Sequence, residues 1–336
     1  MYINTVLSYL GAWEKLQEEH AAVFDELRNV LQCIDLEQFR PHERLQSHSL
    51  LRKVKDYLGN ELAVLNWHVG LRVPYGESGH RFRSIDFVKD GIGIEFGSYK
   101  YDFIQSNIFV KYPLFVQLGY IQIMVVMMLL DLPLPQDMFY RRPMNTITFE
   151  IIRDQLKELN PLPLKYPFII LGASSTSSNL EVRELTSQLD RFLIEIIGQS
   201  LIEMKLSGEQ ERYDFKEVLP ESRKIFHLAC AMANEPGGGV ILFGIDDSGN
   251  IKGLLRSELD GMKLRITDTI RNNCQPCPVS NLLDFDDPSD PNKCVLAVRI
   301  QELERKPCMA DEKVYIRVGS ESRPAKSEEI RRLLLR

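Results

Sequence analysis

The chain has no excess of positive charge. Its 336 residues carry 41 Lys and Arg against 47 Asp and Glu, a formal net charge of −6. Such a molecule is not attracted to nucleic acid as a whole, so any nucleic-acid contact has to come from local basic patches. The length allows two domains with separate cores, and 44% hydrophobic with 26% charged residues is typical of a globular protein.

Cysteine is scarce and scattered. Only Cys274 and Cys277 have the spacing of a metal-ligand pair, and with no second such pair or histidine pair nearby we interpret them as part of a loop. In a reducing compartment the cysteines are free thiols. The six positions are Cys33, Cys230, Cys274, Cys277, Cys294 and Cys308.

Long hydrophobic runs are nearly absent. Residues 112–130 carry no charge, but Pro113, Gln117 and Gly119 interrupt them, so we predict the end of a helix followed by a buried strand at Ile121–Met128. No charged start with an apolar core and cleavage site opens the chain, which argues against a secretory signal. We therefore expect a cytoplasmic protein with no membrane association.

A β-hairpin carrying two carboxylates is predicted in the first half. Phe82–Val88 is β-prone, Lys89–Gly91 is a turn, and Ile92–Phe96 alternates on the return. Pairing across the turn would bring Asp86 and Glu95 together, which is unfavourable unless a cation lies between them. Two such oxygen ligands suit Mg²⁺, which can activate water for phosphodiester hydrolysis. The alternative is an exposed hairpin whose acids only maintain solubility.

This hairpin resembles the core of PD-(D/E)XK nucleases, and its surroundings resemble the BglII restriction endonuclease family. The resemblance covers about residues 45–172. It implies an α/β core with a mixed sheet flanked by helices, Mg²⁺ or Mn²⁺ held by Asp86 and Glu95, cleavage of DNA, and a dimer in which each site cuts one strand. The segments that carry it beyond the hairpin are Phe96–Asn107, Ile121–Met128, Phe149–Leu156 and Tyr166–Gly172.

One position departs from the family pattern. The residue two after the glutamate is Gln in the family and Lys in the wider superfamily, where it helps to position the attacking water. Here it is Gly97, and Lys100 is the candidate to replace it from the following turn. Nucleases of this superfamily often take another acid from a preceding helix, which makes Asp56 and Glu61 candidates. Solvated surface is the alternative role for both.

Periodic apolar residues predict the helices around this core. Apolar residues recur every three or four positions in residues 6–31, 45–65, 102–116 and 148–159, which predicts a helix in each range. Tyr166–Leu171 is predicted as a strand. The apolar stripes at Val6–Leu31 and Leu185–Ile197 are candidate surfaces for a two-fold contact.

A polar segment, Ala173–Asn179, is predicted as a linker. We therefore place a nuclease domain at residues 1–172, a linker with a connecting helix at 173–202, and a second domain at 203–336. The connecting helix is predicted at Glu181–Met204.

The second domain contains a glycine run between a helix and a strand. Gly237–Gly239 allows positive φ where a helix ending at Asn234 gives way to a strand at Val240–Ile245 and a turn at Asp246–Gly249. A P-loop is excluded, because there the glycines precede a helix. A tight turn is the simplest interpretation.

These motifs, together with Asp214–Pro220 and Tyr315–Ala325, resemble the Schlafen AlbA-type domain over about residues 203–336. The resemblance implies an α+β nucleic-acid-binding module. Arginines and lysines of the motifs are the expected phosphate contacts, with solvated surface as the alternative. They are Lys216, Arg317, Arg323 and Lys326.

The same domain offers a second possible activity. Vertebrate Schlafen RNases use three acids, and Glu209 and Asp214 have the spacing of the first two. The third acid has no evident counterpart here.

Three functions therefore remain open. The first is a divalent-metal-dependent DNA endonuclease in restriction or anti-phage defence, acting as a homodimer or a subunit of a defence complex. The second is an RNA endonuclease that uses Glu209 and Asp214. The third is a non-catalytic nucleic-acid-binding regulator or complex subunit, which Gly97 would be consistent with.

Overall fold

A seven-stranded mixed sheet organises the first part of the chain. The computed structural model describes residues 1–39, 47–75, 81–96, 106–130, 149–159, 162 and 164–335. The strand order is β2-β3-β4-β5-β6-β1-β7, with β4, β5 and β6 parallel and β1 antiparallel to β6. The strands are β1 (Tyr2–Tyr9), β2 (His68–Tyr75), β3 (Arg81–Lys89), β4 (Ile92–Phe96), β5 (Ile123–Leu129), β6 (Phe168–Ser174) and β7 (Glu181–Glu184).

Helices cover both faces of this sheet. Alternate residues of β5 belong to different core clusters: Val125 packs in the cluster of the first three helices, and Val126 packs in the cluster of the later ones. The predicted α/β core with a mixed sheet flanked by helices is thus confirmed. The helices are α1 (Ala12–Glu19), α2 (Ala21–Gln32), α3 (Ser47–Val64), a π-helical turn at Asn107–Lys111, α4 (Tyr112–Gln117) and α5 (Phe149–Glu158), with a 3₁₀ turn at Leu36–Phe39.

Two predicted helices are wrong in part. Tyr2–Tyr9 forms strand β1 instead of the start of a helix, because it is rich in β-branched and aromatic residues that pack in the sheet. Glu181–Glu184 forms strand β7, which pairs with β1, and the helices begin only at Gln188. Strand β2 was not predicted at all. The apolar stripes proposed for a two-fold contact are largely buried in the cores of their own units.

The second part of the chain contains two smaller sheets. In the five-stranded sheet β12 is central: it pairs with β9, β10 and β11, and β8 lies parallel to β9. A three-stranded sheet follows in the order β13-β14-β15. The strands are β8 (Tyr213–Lys216), β9 (Gly239–Phe243), β10 (Leu254–Leu255), β11 (Ser280–Asp287), β12 (Asp290–Ile300), β13 (Met309–Ala310), β14 (Lys313–Val318) and β15 (Glu321–Pro324).

Helix α8 (Ser222–Asn234) is hydrogen-bonded to the segments around the three-stranded sheet. Its last residue, Asn234, donates to the carbonyls of Cys308 and Tyr315 at 3.0 and 2.8 Å and accepts from the Cys308 N–H at 2.7 Å. The glycine run then turns the chain into β9, with Gly238 at φ 68° and so close to Ile300 that a Cβ would lie 2.1 Å from its carbonyl oxygen. The helices of this part are α6 (Gln188–Ile196), α7 (Leu201–Ser207), α8 (Ser222–Asn234), α9 (Leu259–Asn273) and α10 (Ser327–Leu334).

The two parts separate as the compact units Met1–Ser187 and Gln188–Arg336. The first unit thus extends past the predicted linker at residue 173, because β7 belongs to its sheet. All six cysteines are free thiols. In the described part of the chain no helix is long and apolar enough to cross a membrane, and the uncharged run at 112–130 is divided between α4 and β5.

Candidate active site

The two carboxylates of the predicted hairpin lie on adjacent strands. Phe87 on β3 pairs with Ile94 on β4, so Asp86 and Glu95 each stand one residue beyond this pair, where the regular ladder ends. Both are buried, at 9% and 6% exposure. The Phe96 N–H donates to Asp86 Oδ2 at 3.0 Å, which joins the two strands at the carboxylates. The local sequence therefore places two acids together inside the fold.

Each carboxylate is paired with a lysine from a helix. Lys55 on α3 donates to Asp86 Oδ1 at 2.5 Å, and Lys111 at the end of the π-helical turn donates to Glu95 Oε1 at 2.6 Å. The Lys111 side chain is 13% exposed, whereas that of Lys55 is 42% exposed. π-Helical turns are rare and frequently occur at functional sites.

The pKa of Glu95 is raised in spite of these lysines. Burial raises the pKa of its carboxyl group, and the neighbouring Asp86 raises it further, to about 7; Lys111 and Lys55 act in the opposite direction. The charged form of the pair is therefore held at a cost in free energy. A cation at the pair would remove that cost.

The pair fits a divalent metal ion that keeps part of its water shell. Mg²⁺ is often bound through one or two carboxylates with waters completing its coordination, and Asp86 and Glu95 supply such a donor set. Among the residues that the structure describes, no group of three or more His, Cys, Asp and Glu side chains is arranged to hold a metal ion.

The other residues predicted for this site are placed differently. Gly97 and Lys100 lie outside the described residues. Asp56 and Glu61 on α3 are both exposed, and Asp56 pairs with Arg52 at 3.9 Å. The residues that reach the carboxylates are instead Lys55 and Lys111, which sequence reasoning missed. A lysine on a predicted amphipathic helix is too common a feature to have identified either of them.

The second unit contains another acid pair, formed by Glu209 and Asp214. Glu209 Oε1 accepts from the Phe215 N–H at 2.6 Å, and burial followed by the charge of Asp214 raises the pKa of Glu209. Lys216 contacts Asp214 and lies 3.6 Å from Glu209. The predicted RNase acids are thus close together, with a lysine between them.

Arg317 is part of this cluster and is not accessible in this conformation. It donates to Asp214 Oδ2 at 2.8 Å and to the carbonyl of Gln210 at 2.8 Å, and only 1% of its side chain is exposed. Its guanidinium group joins β14 to the segment around β8. We therefore interpret Arg317 as an internal counter-ion instead of a phosphate contact.

The remaining predicted phosphate contacts lie at the surface near the end of the chain. Arg323 donates to both carboxylate oxygens of Glu329, at 2.9 and 2.7 Å, and these bonds lower the pKa of Glu329 to about 2. The Lys326 N–H also donates to Glu329, at 2.7 Å. Arg323 and Lys326 thus adjoin one acid, while Lys216 belongs to the Glu209 cluster.

Two family models match the chain. The model described as restriction endonuclease BglII/BglIII matches residues 4–173, and the model described as Schlafen, AlbA_2 matches residues 209–326. Both resemblances derived from the sequence are therefore confirmed. A comparison with curated proteins finds no match.

Solved structures with similarity to the chain have low sequence identity. One is the crystal structure of restriction endonuclease BglII complexed with a DNA 16-mer, at 16% identity, covering 56% of this chain and 83% of that chain with a TM-score of 0.40. Another is the DIP2311 protein from Corynebacterium diphtheriae, at 23% identity, covering 41% of this chain and 28% of that chain with a TM-score of 0.29.

The raised pKa of Glu95 predicts a pH-dependent loss of stability in chelator. The folded protein binds this proton more tightly than the unfolded chain does, so the stabilisation is complete below about pH 4.5 and is lost as pH rises through about 7. Between pH 5 and pH 8 the parent should lose about 1–3 kcal/mol more unfolding free energy than Glu95→Gln. Urea unfolding at both pH values measures this.

Two controls make this measurement specific. Mg²⁺ should restore the stability of the parent at pH 8 but not that of Glu95→Gln. Glu26, whose pKa is lowered by Lys89, should show the opposite sign when replaced by Gln. If the unfolding free energies of the parent and of Glu95→Gln change equally with pH, the pKa of Glu95 is not raised in the folded protein.

The burial of Arg317 predicts a structural role. Arg317→Met removes the buried counter-ion of Asp214 and leaves only the partly exposed Lys216. We expect the unfolding free energy to fall by about 3–5 kcal/mol. Arg323→Met, at the surface, should leave stability nearly unchanged. Denaturant unfolding of both variants tests this. A stable Arg317→Met protein with weakened nucleic-acid binding would instead make Arg317 a phosphate contact.

Proposed function

We propose that this chain, which belongs to the restriction endonuclease BglII/BglIII family, is a divalent-metal-dependent endonuclease that hydrolyses DNA. The observation that carries the proposal is the buried pair Asp86 and Glu95, with the raised pKa of Glu95. A role in restriction or anti-phage defence, a cytoplasmic location, and a homodimer or defence complex belong to the same proposal. Any subunit contact has to use surfaces other than the buried apolar stripes.

Asp86 and Glu95 are the residues that would hold Mg²⁺ or Mn²⁺. When bound there, the ion supplies an activated water and stabilises negative charge on the attacked phosphate. The chain itself fixes the donors: the Phe96 N–H holds one oxygen of Asp86, and Lys111 holds one oxygen of Glu95. The carboxylates are thereby oriented before substrate arrives.

Lys111 is the residue we assign to the role that Gly97 cannot perform. Gly97 has no functional group, whereas the Lys111 ammonium lies 2.6 Å from Glu95 Oε1. It brings a positive charge to that carboxylate from a different element of the fold. A charge placed there can attract the phosphate and orient the attacking water. Lys100 remains the alternative residue for this role.

The second unit is proposed to hold nucleic acid. Lys216, Arg323 and Lys326 are the proposed phosphate contacts, since lysine and arginine of this kind position nucleic acid without reading its sequence. The match to the Schlafen AlbA_2 model at residues 209–326 supports this role. Arg317 would hold Asp214 in the interior of the unit without contacting nucleic acid itself.

RNA cleavage by the second unit is the other candidate activity. It is favoured by the proximity of Glu209 and Asp214, which is expressed in the raised pKa of Glu209. Against it, the third acid that the Schlafen RNases use has no evident counterpart in this sequence. A chain that only binds nucleic acid is the third possibility, and the following experiment separates all three.

Loss of either carboxylate of the first unit should abolish DNA cleavage. Asp86→Asn and Glu95→Gln remove the proposed metal donors, and we expect cleavage of duplex DNA in Mg²⁺ or Mn²⁺ to fall to background. Asp56→Asn, an exposed acid on α3, is the matched control and should cleave like the parent. Parallel assays with DNA and RNA, using Glu209→Gln as a second variant, measure this.

The outcomes assign the activity. Cleavage of RNA that is lost in Glu209→Gln but kept in Asp86→Asn would place the activity in the second unit. A parent chain that binds nucleic acid but cuts neither DNA nor RNA with any metal or partner would be the non-catalytic module.

DNA cleavage should depend more strongly on Lys111 than on Lys55. Lys111→Met removes a nearly buried positive charge at Glu95, and we expect kcat to fall by about 10²–10³. Lys55→Met removes a half-exposed counter-ion and should have a smaller effect. Adding Gly97→Lys to Lys111→Met should restore part of kcat. Single-turnover DNA cleavage measures both effects, and a Lys111→Met protein as active as the parent would exclude this role.

A further inference from the structure

An arginine-rich ribbon extends from the same strand that carries Asp86. The β2–β3 ribbon, defined as the outer halves Leu71–Tyr75 and Arg81–Ile85, is antiparallel and continuous in register, with Arg72 opposite Ser84 and Tyr75 opposite Arg81. β2 is the outermost strand of the sheet on this side.

This ribbon is outside the core. On β3 the side chains change from buried to exposed between Ile85 and Ser84, and Phe82 is 47% exposed. On β2 only Val73 is buried within the ribbon. Residues on both faces of the ribbon are thus available to a partner.

The guanidinium groups of the ribbon are held by aromatic rings. The Arg72 guanidinium lies 4.8 Å from the centroid of the Phe82 ring, and that of Arg83 lies 5.9 Å from the Tyr75 ring. Such contacts use the flat face of the guanidinium group and leave its N–H groups at the edges free to donate. The rings therefore restrict the positions of the two guanidinium groups without using their hydrogen-bond donors.

The charge of the ribbon is of one sign. Between His68 and Tyr75 and between Arg81 and Ser84 the sequence contains no Asp or Glu, and it contains Arg72, Arg81 and Arg83. In the part of the chain that the structure describes, no carboxylate forms an ion pair with these three arginines. In a chain of net charge −6, this is a local basic patch of the kind that nucleic-acid contact requires.

We propose that the β2–β3 ribbon is a contact surface for duplex DNA, which it directs to the carboxylate site. This inference rests on the proposed nuclease function. Ser84, the partner of Arg72, is two residues from Asp86, or about 7 Å at ~3.3 Å per residue. One DNA strand advances about 3.4 Å per nucleotide, so a strand at the carboxylates meets the ribbon about two nucleotides away.

The shape of the ribbon favours DNA over RNA. The major groove of B-form DNA admits a two-stranded β-ribbon, whereas the major groove of A-form RNA is too deep and narrow for side chains to read. Arginines on both faces of the ribbon match the two phosphate backbones that border a groove. The ribbon therefore binds DNA, with Phe82 and Tyr75 as supports for the arginines.

Charge reversal of the ribbon tests this proposal. The full chain, carrying Glu95→Gln to prevent cleavage, is combined with Arg72→Glu, Arg81→Glu and Arg83→Glu, and binding to a short labelled DNA duplex of mixed sequence is measured by anisotropy in chelator. We expect affinity to fall more than about tenfold, and the slope of log K against log salt to decrease by ~0.9 for each lost phosphate contact.

Two matched variants define the result. Arg28→Glu, Lys157→Glu and Arg183→Glu change the net charge equally elsewhere on the same unit and should retain most of the affinity. Replacing the three ribbon arginines by Lys should preserve the salt slope, because phosphate contacts tolerate a point charge. Equal losses in the two triple Glu variants would overturn the proposal, since only overall charge would then matter.

Edge arginines also prevent an outer strand from pairing with another chain. Glutamates would serve that purpose equally well, so a fully soluble charge-reversed variant with parental DNA affinity would support edge protection and overturn DNA contact. If duplex RNA competes for the ribbon as well as duplex DNA does, the proposed binding in the major groove of B-form DNA is overturned.

A direct readout excludes compensation by the second unit. A photoreactive benzophenone amino acid at position 82 should crosslink to the duplex, whereas the same group at the exposed position 159 should not. No crosslink from position 82 would overturn the proposal. Because binding is measured without cleavage, a chain that binds through the ribbon but never cuts DNA would refute the nuclease function alone.

Discussion

The repulsion between Asp86 and Glu95 is the constraint around which the first unit is arranged. Two acids on neighbouring strands cannot be buried without opposite charge nearby. The fold provides that charge from two helices that approach from different core clusters, with Lys55 on α3 and Lys111 beside α4. Even so, the pKa of Glu95 stays raised. The unit thus concentrates an electrostatic cost at one place, which makes this pair a candidate functional site.

The hairpin could be predicted from the sequence because its determinants are local. Alternating apolar residues and a Gly-containing turn fix the register, and the register alone brings Asp86 and Glu95 to adjacent strands. Lys55 and Lys111 could not be predicted, because their partners are distant in sequence and depend on how α3 and α4 pack. A lysine on an amphipathic helix carries no local signal of its partner.

The errors in the fold have a similar origin. A short run such as Tyr2–Tyr9 is compatible with a helix or a strand, and only its partner β6 decides in favour of the strand. Glu181–Glu184 is polar and exposed, so nothing in its own residues predicts that it extends the sheet beside β1. In the second unit, Arg317 has the residue type of a phosphate contact, and its burial against Asp214 became evident only from the structure.

The two lysines differ in solvent exposure, so one of them can leave its carboxylate more easily than the other. Lys55 is half in water, so it can leave Asp86 and regain its hydration with little loss, while Asp86 stays anchored through the Phe96 N–H. Lys111 has almost no solvent to move into. Lys55 is therefore a replaceable counter-ion of Asp86, whereas Lys111 is a permanent counter-ion of Glu95.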